Sequence, residues 1–345
     1  MSFYPGEARL GLQITKLPTY TITDFTRTAP SSLRRKQNSR IRSHNDLMPS
    51  LLDLEHLSAA EINSILKLAR RMHSRPPRPL LLGKRIALLF YEASTRTRVS
   101  FEFAAKLLGT HTSVISATTS SIEKGESLVD TGKTLQALGA DCIVIRHPSS
   151  GAPHVLARNL RVPVINAGDG MHEHPSQGLL DAYTILRHKK SLKGLKIAMI
   201  GDIQHSRVAR SNIHLLSRFD ADIVLCGPVE FLPEVALTLS SSVKITRSLP
   251  EALSGADVVM MLRVQKERLV GLEIDVERYI AHFQLTTELL RLAKKDALVM
   301  HPGPMIRGME IQSEVADSQQ SVVEEQVQNG VYVRMALLAV CTGVI

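Results

Sequence analysis

The sequence predicts an α/β chain of two domains, each a parallel sheet covered by helices on both faces, ending in a packed C-terminal helix. Three features carry that expectation. Short apolar runs such as Arg85 to Phe90 and Lys196 to Ile200 recur along the chain. Stretches with the period of an amphipathic helix separate them, the alternation that builds parallel sheets buried on both faces. Polar and cationic residues follow the runs, at the sheet edge where such folds bind ligands.

The bulk numbers narrow the class. A chain of 345 residues is long enough for two cored domains, and 44% hydrophobic with 22% charged residues is globular composition. The net charge of +9 is concentrated at one end, because residues 1–45 carry eight Lys/Arg against Glu7 and Asp24. The body shows no basic helix interleaved with aromatics, so no nucleic-acid partner is expected. Cys142, Cys226 and Cys341 are too scattered for a disulfide framework or metal-ligand spacing, which implies a reducing, cytoplasmic setting. No apolar run has the length of a membrane helix.

Residues 1–45 lack periodicity and are rich in Ser, Thr and Arg. They read as a disordered extension or an over-early start, with a transit peptide and organellar import, or a polybasic contact, as the alternatives. The next segment, 46–188, reads as the first domain. Ser58-Ala59-Ala60-Glu61 is a capping-box spacing, and Ile62, Ile65, Leu66, Ala69 and Met72 mark one helix face ahead of Pro76-Pro77. After the run at Arg85, strands are expected near Thr112 to Ser116, Asp141 to Ile145 and Val162 to Ile165. Helices are expected from Val99 to Leu108, Ser127 to Leu138 and Ala152 to Leu160, and a linking helix from His174 to His188.

The second domain is expected at 189–320, opening on Lys189-Lys190-Ser191-Leu192-Lys193-Gly194. Its strands should be Lys196 to Ile200, Asp222 to Cys226, Val243 to Thr246, Asp257 to Leu262 and Ala297 to Met300. Helices near Ser206 to Arg218, Pro233 to Leu239, Pro250 to Ser254 and Thr287 to Leu292 should separate them. The remainder, 321–345, reads as a packed terminal helix interrupted at Asn329-Gly330.

The strand ends are where chemistry is to be sought. Ser94-Thr95-Arg96-Thr97-Arg98 lies between a strand and a helix, where unpaired N–H groups and the helix dipole stabilise an anion and an Arg fork matches phosphate. A capped surface helix with solvated arginines is the alternative. Further strand ends carry Arg146-His147-Pro148, His174-Pro175-Ser176-Gln177, Gly201-Asp202 with Arg207, Arg263-Val264-Gln265-Lys266-Glu267-Arg268 and His301-Pro302-Gly303-Pro304. Together they describe one cleft for an anionic substrate. A dinucleotide site after Ile200-Gly201-Asp202 would require a G-x-G-x-x-G that is not there.

From about Asp46 to the C-terminus, Ser94-Thr95-Arg96-Thr97-Arg98, His174-Pro175-Ser176-Gln177 and Arg263-Val264-Gln265-Lys266-Glu267-Arg268, in that order, resemble the aspartate/ornithine carbamoyltransferase family and its aspartate-using branch. The resemblance implies a carbamoyl-phosphate domain, an aspartate domain, a C-terminal helix packing back across both, and transfer of a carbamoyl group to the amine of L-aspartate with release of phosphate. It implies that Ser94, Thr95, Arg96 and Thr97 hold the phosphate. Thr97, Arg146 and His174 address the carbonyl oxygen, and Gln177 the carbamoyl nitrogen. Arg207, Arg263 and Gln265 hold aspartate, Pro302 and Gly303 lie near the reacting carbonyl, and Glu92 pairs with Arg207 or Arg268 when the domains close. Ser120 and Lys124 match a loop that reaches a neighbouring subunit's site, Lys124 touching aspartate as well, which implies a homotrimer. Larger assemblies with regulatory or dihydroorotase-like subunits belong to the same expectation.

The chemistry agrees with that assignment. Attack of a neutral amine on carbamoyl phosphate builds negative charge on the carbonyl oxygen and the departing phosphate, so oriented cations and donors are needed. Neither a Ser-His-Asp arrangement nor a metal-ligand spacing is evident, and no cofactor or metal is expected. Taken singly, His174 could be a satisfied structural histidine and Arg146 a solvated edge charge. The alternatives for function are an ornithine carbamoyltransferase and a non-catalytic scaffold that keeps the fold. The ornithine branch carries a cysteine in the motif corresponding to His301-Pro302-Gly303-Pro304, which has none here, and the positive charge of Arg263 would repel ornithine.

Overall fold

The computed structural model describes residues 50–75, 79–116, 125–264 and 275–344. The first sheet holds β1 (Arg85–Phe90), β2 (His111–Ser116), β3 (Cys142–His147) and β4 (Val164–Asp169), all parallel, in the order β2-β1-β3-β4. Helices α1 (Ala59–Ser74), α2 (Thr95–Leu107), α3 (Leu128–Ala137) and α4 (Ala152–Asn159) accompany it. The second sheet holds β5 (Lys196–Ile200), β6 (Asp222–Cys226), β7 (Val243–Thr246), β8 (Val258–Met261) and β9 (Leu298–Met300), again all parallel, in the order β7-β6-β5-β8-β9. Joining the two is α5 (Pro175–His188), buried on every side from Pro175 to Ile185. The helices of the second half are α6 (Arg207–Ser217), α7 (Leu249–Leu253), α8 (Val276–Phe283), α9 (Thr287–Leu290) and α10 (Ser313–Ala316), and α11 (Val323–Cys341) closes the chain.

The inner strands are buried along their length because both faces are covered, and Val, Ile, Leu and Met fill them. The edge strand β2, His111-Thr112-Ser113-Val114-Ile115-Ser116, is largely exposed and correspondingly polar. At α1 the capping box is made in both directions, with Ser58 N–H on Glu61 Oε2 at 2.8 Å and Glu61 N–H on Ser58 Oγ at 3.2 Å. Helix α11 packs on α1, α2 and α5 and also touches β4 and β9, so it ties the two sheets together. All three cysteines are free and buried. Among the described residues no helix is long and apolar enough to cross a membrane.

Two expectations about elements are corrected, and one element was not expected. Helix α11 is continuous through Asn329-Gly330, both buried. Asn329 Nδ2 donates to Thr184 Oγ1 on α5 at 3.0 Å, and a Cβ at Gly330 would collide with the Arg334 guanidinium and meet Leu180 at 3.2 Å. The Asn-Gly pair here lets two helices approach instead of ending one. Glu234–Leu239 is a 3-10 segment and not an α-helix, its start set by the extended Pro233. Helix α8 is an element for which no expectation was formed, although Val276, Tyr279, Ile280 and Phe283 have helical spacing behind the capping carboxylate of Asp275.

Candidate active site

In each sheet the chain first builds strands to one side and then crosses to the other. The reversal falls between β1 and β3 in the first sheet and between β5 and β8 in the second. Parallel sheets leave a crevice at the carboxyl ends of such strand pairs. The chain leaving β1 carries Ser94 to Thr97, and β3 ends at Arg146-His147. The chain leaving β5 reaches Arg207 at the first turn of α6, and that leaving β8 reaches Arg263. The two crevices open on one cavity of about 660 Å³, which all of these residues except His147 line.

Ser94 occupies the N-cap position of α2 but makes no side-chain cap hydrogen bond. The plain capping reading of this turn is therefore not realised, and Ser94, Thr95, Arg96 and Thr97 all line the cavity at the amide end of the helix. His174 caps α5 in the same way, without a side-chain bond, ahead of Pro175. It is buried, 3.5 Å through Nε2 from Thr97 Oγ1 and 3.4 Å through Nδ1 from Ser176 Oγ. Burial, then Arg146, Arg207 and Arg334, hold its imidazole well below the usual histidine range, so it is neutral at physiological pH. A neutral ring in this position donates one N–H and does not add a further cation.

Glu92 is the one acid among the described residues that line the cavity. Its Oε2 accepts from Arg207 Nη2 at 2.8 Å and from Arg146 Nε at 3.1 Å, so one carboxylate joins arginines of both sheets. Arg207 is buried and also donates through Nη1 to the Gly170 carbonyl at 3.2 Å. Of the two partners expected for Glu92, Arg207 is the one present among the described residues. Arg268, Gln265, Ser120 and Lys124 lie outside the described residues.

Behind the cavity lies a network centred on Asp181, which with Gln326 and Asn212 was not expected from the sequence. Asp181, wholly buried on α5, accepts from Gln177 Nε2 at 2.9 Å, Gln326 Nε2 at 2.8 Å and Asn212 Nδ2 at 2.8 Å. Burial pushes its carboxyl up to about 6 against the pull of these three amides and Arg334. Three donors on one carboxylate fix the amide orientations, so Gln177 keeps its Oε1 as an acceptor. Gln326 in turn takes the His301 N–H on Oε1 at 2.9 Å, and His301 Nδ1 accepts the Gly303 N–H at 2.8 Å. Burial, with Arg96 and Arg263 nearby, pushes His301 down to about 3.

Arg334 on α11 also lines the cavity and is 3% exposed. Its guanidinium lies 5.1 Å from the Phe101 ring centroid, its buried Nε has no hydrogen-bond partner, and burial pulls it down to about 9, which leaves it cationic. The sequence does contain a signal for it, a single arginine inside the apolar stretch Val331 to Ala339, and such a charge is buried only when something in the fold uses it.

At Gly303 the backbone has φ +70°, and a Cβ there would lie 2.5 Å from Arg96 Cζ. A larger residue beside Pro302 would therefore have to displace the Arg96 guanidinium. Among the described residues Arg96, Arg146, Arg207, Arg263 and Arg334 thus surround the cavity with a single opposing carboxylate. Arginine forks, hydroxyls and helix amides of this kind suit a ligand carrying several anionic groups.

Family models for the aspartate/ornithine carbamoyltransferase carbamoyl-P binding domain and Asp/Orn binding domain match residues 50–187 and 193–341. The chain is 63% identical over 289 residues to an aspartate carbamoyltransferase catalytic subunit of Koribacter versatilis, covering 84% of this chain and 95% of the relative. It is 54% identical to the corresponding subunit of Solibacter usitatus, covering 86% and 100%. Among solved structures it is similar to ornithine carbamoyltransferase from Pyrococcus furiosus, with TM-score 0.79 and 31% identity over 86% of this chain and 98% of that one. It is similar in the same degree to aspartate transcarbamoylase from Trypanosoma cruzi in complex with carbamoyl aspartate and phosphate, with TM-score 0.77 and 32% identity over 84% and 95%.

Proposed function

Because the chain belongs to the aspartate/ornithine carbamoyltransferase family, we infer that it is a transferase moving the carbamoyl group of carbamoyl phosphate to the amine of L-aspartate, yielding N-carbamoyl-L-aspartate and phosphate. This is a step of pyrimidine biosynthesis. The observation that carries the reading is the meeting of two sheet crevices at one arginine-lined cavity. One crevice offers a helix amide end to a phosphate, and the other offers two arginines to a dicarboxylate.

In this reading residues 46–188 hold carbamoyl phosphate, 189–320 hold aspartate and 321–345 join the two. Ser94, Thr95, Arg96 and Thr97 bind the phosphate, and Arg207 and Arg263, with Gln265, bind the carboxylates. Thr97, Arg146 and neutral His174 donate to the carbonyl oxygen as the amine nitrogen bonds to the carbon and the bond to the phosphate oxygen breaks. Donors already oriented toward that oxygen need no rearrangement as charge builds, which is where most of the rate arises. Gln177 accepts from the carbamoyl nitrogen through the Oε1 that Asp181 leaves available. The Glu92 carboxylate between Arg146 and Arg207 is the tie that favours the closed form.

The deciding experiment supplies purified protein with carbamoyl phosphate and either amine. Carbamoyl aspartate alone is expected; product with ornithine, or with neither amine, overturns the assignment. The fold does not discriminate the two, since both kinds of enzyme share it.

Gly303→Leu is expected to raise KM for carbamoyl phosphate about tenfold by displacing Arg96, and to cost about 1–2 kcal/mol for a side chain at positive φ. Steady-state kinetics with a melting curve check it, and an unchanged KM removes the steric argument.

The working form in this reading is a cytoplasmic homotrimer, in which Ser120 and Lys124 of the partner subunit complete each site. Free buried cysteines fit a reducing compartment. Mixing Arg96→Ala with Lys124→Ala chains should then regenerate some sites with both residues intact. Recovery of activity supports shared sites, and its absence counts against them.

A further inference from the structure

A second cluster of ligating groups lies at the turn between β4 and α5, outside the cavity described above. His154 is near the start of α4, Asp169 ends β4, and His172 stands two residues before His174. None of the three lines the cavity. One ligating atom from each lies within 4.8 Å of the other two, and the two imidazoles meet edge to face with centroids 5.6 Å apart.

The arrangement around the cluster is that of a supported metal site. His154 Nε2 lies 3.0 Å from Asp53 Oδ2, and Asp53 is itself fixed by the His56 N–H at 2.9 Å and His56 Nδ1 at 2.8 Å. A carboxylate holding one imidazole nitrogen as N–H leaves the other as a bare lone pair, and raises its basicity toward a metal. That other nitrogen, His154 Nδ1, is buried and has no hydrogen-bond partner among the described residues. A buried acceptor left unsatisfied costs about 1–3 kcal/mol, so an occupant is favoured there. Asp169 is held as firmly, accepting from Gly151 N–H at 2.7 Å, Asn166 Nδ2 at 2.8 Å and Glu173 N–H at 3.2 Å.

We propose that His154 through Nδ1, Asp169 and His172 bind one divalent first-row transition metal ion of the zinc class. Two imidazoles and one carboxylate select zinc or cobalt over magnesium or calcium, which take oxygen ligands. Ligands at zinc distances stand about 3.4 Å apart in a tetrahedron, so atoms as far apart as 4.8 Å must close by up to about 1.4 Å. His172 supplies that movement, because its side chain is 32% exposed and its Nδ1 is held only by Asp169. The partly exposed side of His172 leaves a water molecule free to complete four-coordination. The ion would pin α4 and the end of β4 to the turn carrying His174, a stabilising role independent of what the cavity binds.

The test strips the full chain with a chelator, dialyses it, and titrates it with cobalt(II), whose visible absorption reports four-coordinate binding. One equivalent per chain is expected, displaced by zinc and not by magnesium, with zinc also raising the melting temperature by several degrees. His172→Ala and His154→Gln should each abolish the cobalt spectrum, whereas His111→Ala, an exposed histidine on β2, should keep it. Should His154→Gln fail to fold, the more exposed His172→Ala, checked by far-ultraviolet circular dichroism, decides alone. No cobalt spectrum in the parent chain, displacement by magnesium, or a spectrum that survives His172→Ala would overturn the proposal. Because the readout is a spectrum, this result is separable from any failure of the carbamoyl-transfer reading.

Discussion

Arg96→Ala is expected to fold as the parent does and to lose about 10³-fold or more in kcat/KM for carbamoyl transfer. The two halves of that expectation have separate causes. Among the described residues Arg96 makes no hydrogen bond, and partial desolvation together with the repulsion of Arg263 lowers its pKa although the residue remains exposed and cationic. Truncation therefore relieves repulsion and breaks no bond of the fold. The activity lost is a bidentate bond to a phosphate whose charge grows as it departs, worth about 1.5–3 kcal/mol in binding and more in the transition state. Saturation kinetics and a melting curve on the same preparation test both halves. A variant within threefold of the parent rate would return Arg96 to the status of a surface charge. A variant that melts well below the parent would assign it to the fold.

The strands were legible because parallel sheets buried on both faces require apolar runs, and Arg85 to Phe90, Lys196 to Ile200 and Asp222 to Cys226 occupy the expected places. Strand order was not, since apolar runs do not state their neighbours. That order decides which strand ends meet, and it gathers Ser94 to Thr97, Arg146, Arg207 and Arg263 at one cavity while Asp202, also after a strand, does not line it. Tertiary contacts defeated local reading elsewhere. Asn329-Gly330 has the composition of a helix stop, yet Thr184 and the Arg334 side chain against it make it a point of helix contact.

Arg334 shows the same limit at the site itself, because a lone arginine in an apolar stretch signals that the charge is used but not where, and its place at the cavity depends on α11 crossing both sheets. Asp181 and Gln326 escaped for a related reason. Each bonds across a long sequence separation, and only the assembled chain puts three amides on one buried carboxylate. His154, Asp169 and His172 likewise have no metal-ligand spacing in sequence, and it is the return of α4 beside the end of β4 that makes them neighbours.

Arg334→Met is expected to lower kcat/KM by about 10–100-fold, the worth of a charged hydrogen bond to an anionic ligand, while its effect on stability changes with pH. Methionine keeps an unbranched stem over Phe101 and a favourable sulfur contact with the ring. It removes a cation whose pKa burial has pulled down to about 9, so loss of the charge by itself does not destabilise the fold. The opposing effect comes from Asp181, whose carboxyl burial has already pushed up to about 6 despite the pull of Arg334. Without that cation it moves higher. An acid raised in the folded state binds its proton there while the unfolded chain has released it, so stability falls as pH rises between the unfolded and folded values. The variant extends that interval upward. Its melting temperature relative to the parent should consequently be near zero or positive at about pH 5.5 and become steadily less favourable toward about pH 8. Melting curves at both pH values, paired with kinetics at neutral pH, test the argument. A pH-independent difference would detach Asp181 from Arg334, and an unchanged kcat/KM would leave Arg334 as packing.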